Sequence, residues 1–133
     1  MQNVGFMSAT FKVHQTAAVD DLKDEDIGKA VSIAGNYEVS LGASGGVLLG
    51  KLIDLSLTDA DNGKRVATVQ IGGVCILPAA ATVPSVGNRV VVDGAGAVKQ
   101  APVLAGYDPA GGNVARGTVI NVIGTSDVAV ILN

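Results

Sequence analysis

From about residue 30 onward the chain alternates short apolar runs with Gly, Asn, Asp and Pro. Runs of β-branched and aliphatic residues set between such punctuation are the pattern of strands. The pattern predicts strands at 29–34 (KAVSIA), 36–41 (NYEVSL), 46–57 (GVLLGKLIDLSL), 64–71 (KRVATVQI), 73–78 (GVCILP), 88–93 (NRVVVD), 97–101 (AVKQA), 115–123 (ARGTVINVI) and 127–133 (DVAVILN). Between them AGN at 34–36, GASGG at 42–46, DNG at 61–63, DGAG at 93–96 and GTSD at 124–127 supply residues that tolerate positive φ. No segment carries helical spacing over the length that a crossover between parallel strands needs. The chain therefore reads as all-β, a compact β-barrel or sandwich-like domain of about 8–9 short strands.

Alternation within these strands is incomplete. RVATVQI sets Val66, Thr68 and Gln70 on one face and Ala67, Val69 and Ile71 on the other; the last strand sets Val128, Val130 and Leu132 against Ala129 and Ile131. Strands apolar on both faces need cover on both. With no helix to supply it, the cover falls to the N-terminal chain or to a neighbouring subunit, so a homo-oligomer is expected. Gly50, inside VLLGKLIDLSL, marks a bulge or bend. Residues 1–20 are more polar and set Phe6, Met7 and Phe11 among small residues. They read either as an arm that docks its aromatics elsewhere or as a first strand, ATFKVH; residues 21–133 form a single domain.

Composition narrows this picture. The chain has 133 residues, 48% hydrophobic but only 3% aromatic, so the core of one domain must be built from Val, Ile, Leu and Ala. The net charge is −3, and the acidic residues are scattered except in DDLKDEDIGK at 20–29, which reads as a solvated turn or short helix. No basic footprint recommends nucleic acid or anionic lipid, and the barrel strands lack base-stacking aromatics. No apolar stretch has bilayer-spanning length, and the N-terminus has no basic region followed by a hydrophobic one. The one cysteine, Cys75, sits in GGVCILP as a buried small hydrophobe would.

Tests for chemistry return little. DGAGAVKQ has Lys99 where a dinucleotide fingerprint needs its third glycine, and Pro102 follows where a helix should run. TDADNG at 58–63 brings its glycine one position early for a calcium loop, and Gln70 stands where the bidentate glutamate belongs. His14 is the sole histidine, so one chain cannot assemble a histidine metal site. Ser44 in GASGG lacks the strand-to-helix elbow of a hydrolase, and Lys51 and Lys99 lie in or beside strands rather than on a carrier hairpin. No catalytic, cofactor-binding or metal-ligating residue is assigned, and the chain is not expected to be an enzyme.

The order of segments carries more than any one motif. DIGKAVSIAGN with YEVSLG, GVLLGKLIDLS, ATVQIGGVCILPAA, VGNRVVVDGAGAVKQ, and ARGTVINVI with DVAVILN resemble, over residues 26–133, the small capsid cement or head decoration proteins of tailed bacteriophages. The shared parts are a glycine before a strand, a G-V-x-x-L-P strand, a V-G-x-x-V entry into a D-G-x-G turn, and a terminal G-x-V and V-x-V-x-L strand pair. The resemblance implies a β-barrel-like decoration domain, often trimeric, made in the host cytoplasm. It would bind the outer capsid surface where major capsid subunits meet and brace the shell. It implies no catalytic residues. Gly28, Gly72, Gly73, Gly87, Gly94 and Gly96 become turn and close-approach positions. The excursion AGYDPAGGNVARG, 105–117, departs from the pattern, and Tyr107 there joins Phe6, Met7 and Phe11 as a candidate interface residue.

The implied mechanism is a clamp: a trimeric base holds adjacent shell subunits while the N-terminal arm or the 105–117 loop spreads over their seam. Removing residues 1–12 is then expected to weaken particle binding without unfolding the domain. The competing readings are a tail or baseplate β-domain and a carbohydrate or host-surface binding module, the latter short of the usual aromatic platform.

Overall fold

The computed structural model describes residues 7–16, 19–56, 65–102 and 116–132. Within them lie β1 (Met7–Val13), β2 (Gln15–Thr16), β3 (Val19–Asp20), β4 (Ala30–Gly35), β5 (Glu38–Ser40), β6 (Gly50–Leu55), β7 (Val66–Pro78), β8 (Val90–Val92), β9 (Val98–Gln100), β10 (Thr118–Ile123) and β11 (Asp127–Leu132). The described residues contain no α-helix, only a single 3-10 turn at Asp24–Asp26. The all-β reading holds.

Five strands close a barrel in the order β1-β5-β4-β6-β7, with β7 returning to β1. Its neighbours run antiparallel except β1 and β5, which run parallel with Lys12 opposite Glu38 and Val13 opposite Val39. Val13, Leu22, Val31, Val39, Leu52 and Val69 fill the interior, each with no solvent exposure, and Phe11 packs against them. Of the two readings of the N-terminal chain, residues 7–13 follow the first-strand one. They are the strand that closes the barrel, with Ala9 opposite Val69 and Phe11 opposite Ala67, and not a free arm.

A second layer grows from the same strand. The pattern predicts two strands, 64–71 and 73–78, separated by glycines, but β7 runs unbroken for 13 residues through Gly72 and Gly73. Its first part pairs with β1 and β6; from Gly73 to Pro78 it pairs with β11, and β11 pairs with β10. Odd-numbered residues keep the inner face throughout, Ala67 and Val69 in the barrel core, Cys75 and Leu77 in the second. Gly73 adopts φ +81, a conformation that an L side chain takes only under strain. The second core also takes Leu48, Val90, Val92, Val98, Val119, Val128 and Val130, so the β8–β9 hairpin roofs the β7–β11–β10 sheet.

Two further expectations change. The strand at 46–57 begins at Gly50, because the preceding turn is bonded elsewhere: Gly45 donates to Val92 O, Val92 to Gly46 O and Leu49 to Val31 O. Gly50 is a point of close approach, since a Cβ there would lie 1.8 Å from the carbonyl oxygen of Gln70, while the β6 register shift falls between Leu52 and Asp54. The acidic cluster at 20–29 is only partly solvated. Asp26 is buried, accepts the Lys23 amide at 2.8 Å and the Lys29 ammonium at 3.0 Å, and holds the turn that brings Leu22 into the barrel.

Deleting residues 1–12 removes β1 up to Val13 and opens the barrel, so the expected outcome is loss of a cooperative thermal transition by circular dichroism, where a free arm would leave the remainder folded. Gly50→Ala is expected to destabilise the protein by about 3 kcal/mol or more, because backbone stands where the new methyl must go; urea unfolding measures it.

Candidate interaction surfaces

Several titratable groups among the described residues are engaged in holding the fold. His14 Nδ1 lies 2.6 Å from Asp21 Oδ2, and the Thr16 hydroxyl donates to the other oxygen of Asp21 at 2.8 Å, tying the end of β1 to the residue after β3. Cys75 faces the second core, and burial pushes its thiol up to about 11, only partly opposed by the charges of Lys51 and Arg116. A neutral, enclosed thiol is a poor nucleophile. The Arg116 guanidinium donates to the carbonyls of Leu49, just before β6, and Ile71 on β7. Burial lowers its pKa. It pins the junction where β6 leaves off and β11 comes in. Among the described residues no group of three or more His, Cys, Asp or Glu side chains is placed to hold a metal ion.

What the molecule does present is apolar. Inward residues of β7 and β11 are spent on the second core, so the opposite face of the β7–β11–β10 sheet carries Val74 at 51% exposure, Ile76 at 50% and Ile131 at 38%. Ile131 stands opposite Val74 and Ala129 opposite Ile76, so these side chains share one face as direct cross-strand neighbours. Ile120 falls in the β10 register shift and is also exposed; on β10 Thr118 stands opposite Ile131 and Asn121 opposite Ala129, and Asp127 closes the face at one end. Met7 stands opposite Gly72 on β1 and extends the apolar margin. The buried Gln70 donates to Gly72 O at 2.9 Å and Val74 O at 3.0 Å, a bracing that nothing in the strand pattern revealed.

A second surface lies on the barrel. Thr10, Phe11 and Lys12 of β1, Tyr37 of the β4–β5 turn and Val66 of β7 line a cleft of about 310 Å³. Tyr37 is 80% exposed, and its φ of +57 makes it the one non-glycine residue in the left-handed region among those described. Its carbonyl accepts the Lys12 amide at 2.7 Å, which fixes the turn against β1.

Of the candidate interface residues, Met7 and Phe11 are thus placed, on different surfaces, while Phe6 and Tyr107 lie outside the described residues. Gly28, Gly87, Gly94 and Gly96 occupy turns or bends with positive φ; Gly72 and Gly73 are interior to β7 rather than corners between strands. The exposed face was legible in principle from VCIL followed by VAVIL, whose alternate residues cannot all point inward, but Tyr37 gave no signal beyond being a lone aromatic. Comparison of the chain with protein-family models, with curated proteins and with solved structures finds no match.

Native Cys75 is expected to resist Ellman's reagent at pH 8 and to react fully in denaturant. Because folding raises this pKa from 9.0 to about 11, the neutral thiol is the form the fold favours. Its contribution is complete below about pH 9 and is lost as pH rises toward 11. The stability difference between wild type and Cys75→Ala is therefore expected to shrink across that window.

Proposed function

We propose that this protein is a non-enzymatic structural virion protein that binds the outside of a phage capsid at junctions between major capsid subunits and stabilises the shell. The order of sequence segments suggests the role, and the observation that carries it is the exposed apolar face of Val74, Ile76 and Ile131. Contiguous exposed apolar side chains on a rigid sheet favour association with another protein surface. Burying each would contribute roughly 1 kcal/mol, since about half of each side chain is already covered.

Such a contact is small beside a stable pairwise interface, which buries about 800 Å² on each partner. It becomes effective when symmetry repeats it. A homotrimer seated where several shell subunits meet engages through linked copies, and avidity multiplies moderate contacts without a deep pocket. In this reading the sheet face, with Met7 at its margin, takes the part expected of an N-terminal arm, since residues 7–13 are committed to the barrel; residues 105–115 of the alternative clamp, the 105–117 loop, lie outside the described residues.

Electron microscopy of particles with and without the protein tests the role. Density on the outer shell at capsid-subunit junctions is expected; density inside the head or along the tail would reject it. Replacing exposed Ile76 by Asp leaves the core untouched and is expected to weaken cosedimentation with protein-depleted heads at least tenfold while preserving the thermal transition.

A further inference from the structure

β1 is held to the rest of the molecule in two different ways. Its strand pairing is entirely with remote segments: β5 on one side, at Lys12–Glu38 and Val13–Val39, and β7 on the other, from Met7–Gly72 to Lys12–Val66. The Val13 amide donates to Arg65 O, and Phe11 and Val13 pack in the barrel core. Its covalent link, by contrast, is a polar hairpin outside both cores. Each described residue from His14 to Asp21 is exposed or half-buried, Val19 at 59% exposure, and the next buried side chain is Leu22. β2 and β3 share only two residue pairs, Gln15 with Asp20 and Thr16 with Val19. Side-chain bonds supply the rest, His14 to Asp21 at 2.6 Å, Gln15 to Asp20 at 3.0 Å and Thr16 to Asp21 at 2.8 Å.

Opening this hairpin therefore uncovers no core side chain and gives up only bonds that water replaces at small net cost. The slot between β5 and β7 is matched to β1 itself, in register and in side chains. An identical strand from a second copy makes every contact there that the chain's own β1 makes, which is why exchange of an identical element is a low-cost route to an oligomer. The reach suffices. The eight residues 14–21 span up to about 28 Å when extended, against a radius of gyration of about 14 Å for a compact chain of this length.

We propose that the protein self-associates by exchanging β1, Met7–Val13 of each copy closing the β5–β7 slot of a neighbouring copy once the 14–21 hairpin has opened. Each copy then gives a strand to one neighbour and receives one from another, the head-to-tail contact from which a ring of three is built. The inference concerns self-association alone and holds whether or not the protein binds a shell. Thr10 and Thr68 stand opposite each other on β1 and β7, neither of them buried, at the separation of paired strands that a disulfide can bridge. Full-length Thr10→Cys/Thr68→Cys/Cys75→Ala is oxidised and run on non-reducing denaturing gels. Exchange is expected to place more than half of the protein in covalently linked dimers and trimers that reduction returns to monomer, with at least tenfold less linked material in either single-cysteine variant. Lys12→Cys/Val66→Cys/Cys75→Ala, the next pair along the same two strands, repeats the measurement if the first variant lacks a cooperative thermal transition. A disulfide closed within the monomer at every protein concentration overturns the proposal. Linked oligomers of a protein that fails to bind depleted heads would reject the virion role and leave the exchange standing; closed monomers that bind heads would do the reverse.

Discussion

A strand that lines two hydrophobic cores has to remain continuous while its neighbours change, and the rest of this structure follows from how β7 meets that constraint. Its inner face never loses register: Ala67 and Val69 enter the barrel, Cys75 and Leu77 the second core. Its partners change around Ile71 to Gly73, where β6 has ended and β11 begins. Carbonyls freed at such a junction need donors. Arg116 supplies them to Leu49 and Ile71, and Gln70 to Gly72 and Val74. Two polar side chains inside an apolar strand system thus do what a regular ladder would otherwise have done.

Closure of the barrel depends on backbones lying very near each other. With few aromatics available, the interior is filled by Val and Leu, and thin side chains require close strands. Gly50 shows the limit, because its α-carbon lies against the Gln70 carbonyl where no side chain fits. On the opposite edge β1 bridges β7 and β5, antiparallel to one and parallel to the other. Barrel closure removes the open edges that make short sheets vulnerable to unwanted pairing. It also holds β1 and β7, which line the cleft, whereas of the three strands under the apolar face only β7 belongs to the barrel.

Much of this was legible in the chain. Runs such as KAVSIA and DVAVILN fall within a residue or so of β4 and β11, because β-branched residues bounded by Gly, Asn and Asp leave few alternatives. The burial of Cys75 followed from its apolar neighbours. The continuity of β7 was not legible, since Gly-Gly reads locally as a turn and only pairing on both sides holds it extended. Asp26 was lost in a run of acids whose local sequence does not distinguish a buried carboxylate from solvated ones; its partner Lys29 shows the difference only once the turn has formed. The ATFKVH segment remained ambiguous because its alternation is that of any edge strand, and its place in the barrel is set by partners more than fifty residues away.

The apolar surplus of the sequence has a definite destination. RVATVQI and VAVIL both carry apolar residues on two faces, yet the two segments are treated differently by the fold. In the barrel half of β7 the outer face is broken by Thr68 and Gln70, and Gln70 is covered and bonded. In the second half the outer positions are Val74 and Ile76, facing Ile131 and Ala129, with no polar side chain among these four. An outer face that served only solvation would gain from Thr or Lys at these positions, which strands accommodate at little cost. Keeping aliphatic residues there is unfavourable for the isolated chain and favourable only where another surface covers them. Tyr37, exposed and in the left-handed region, likewise adds little to either core.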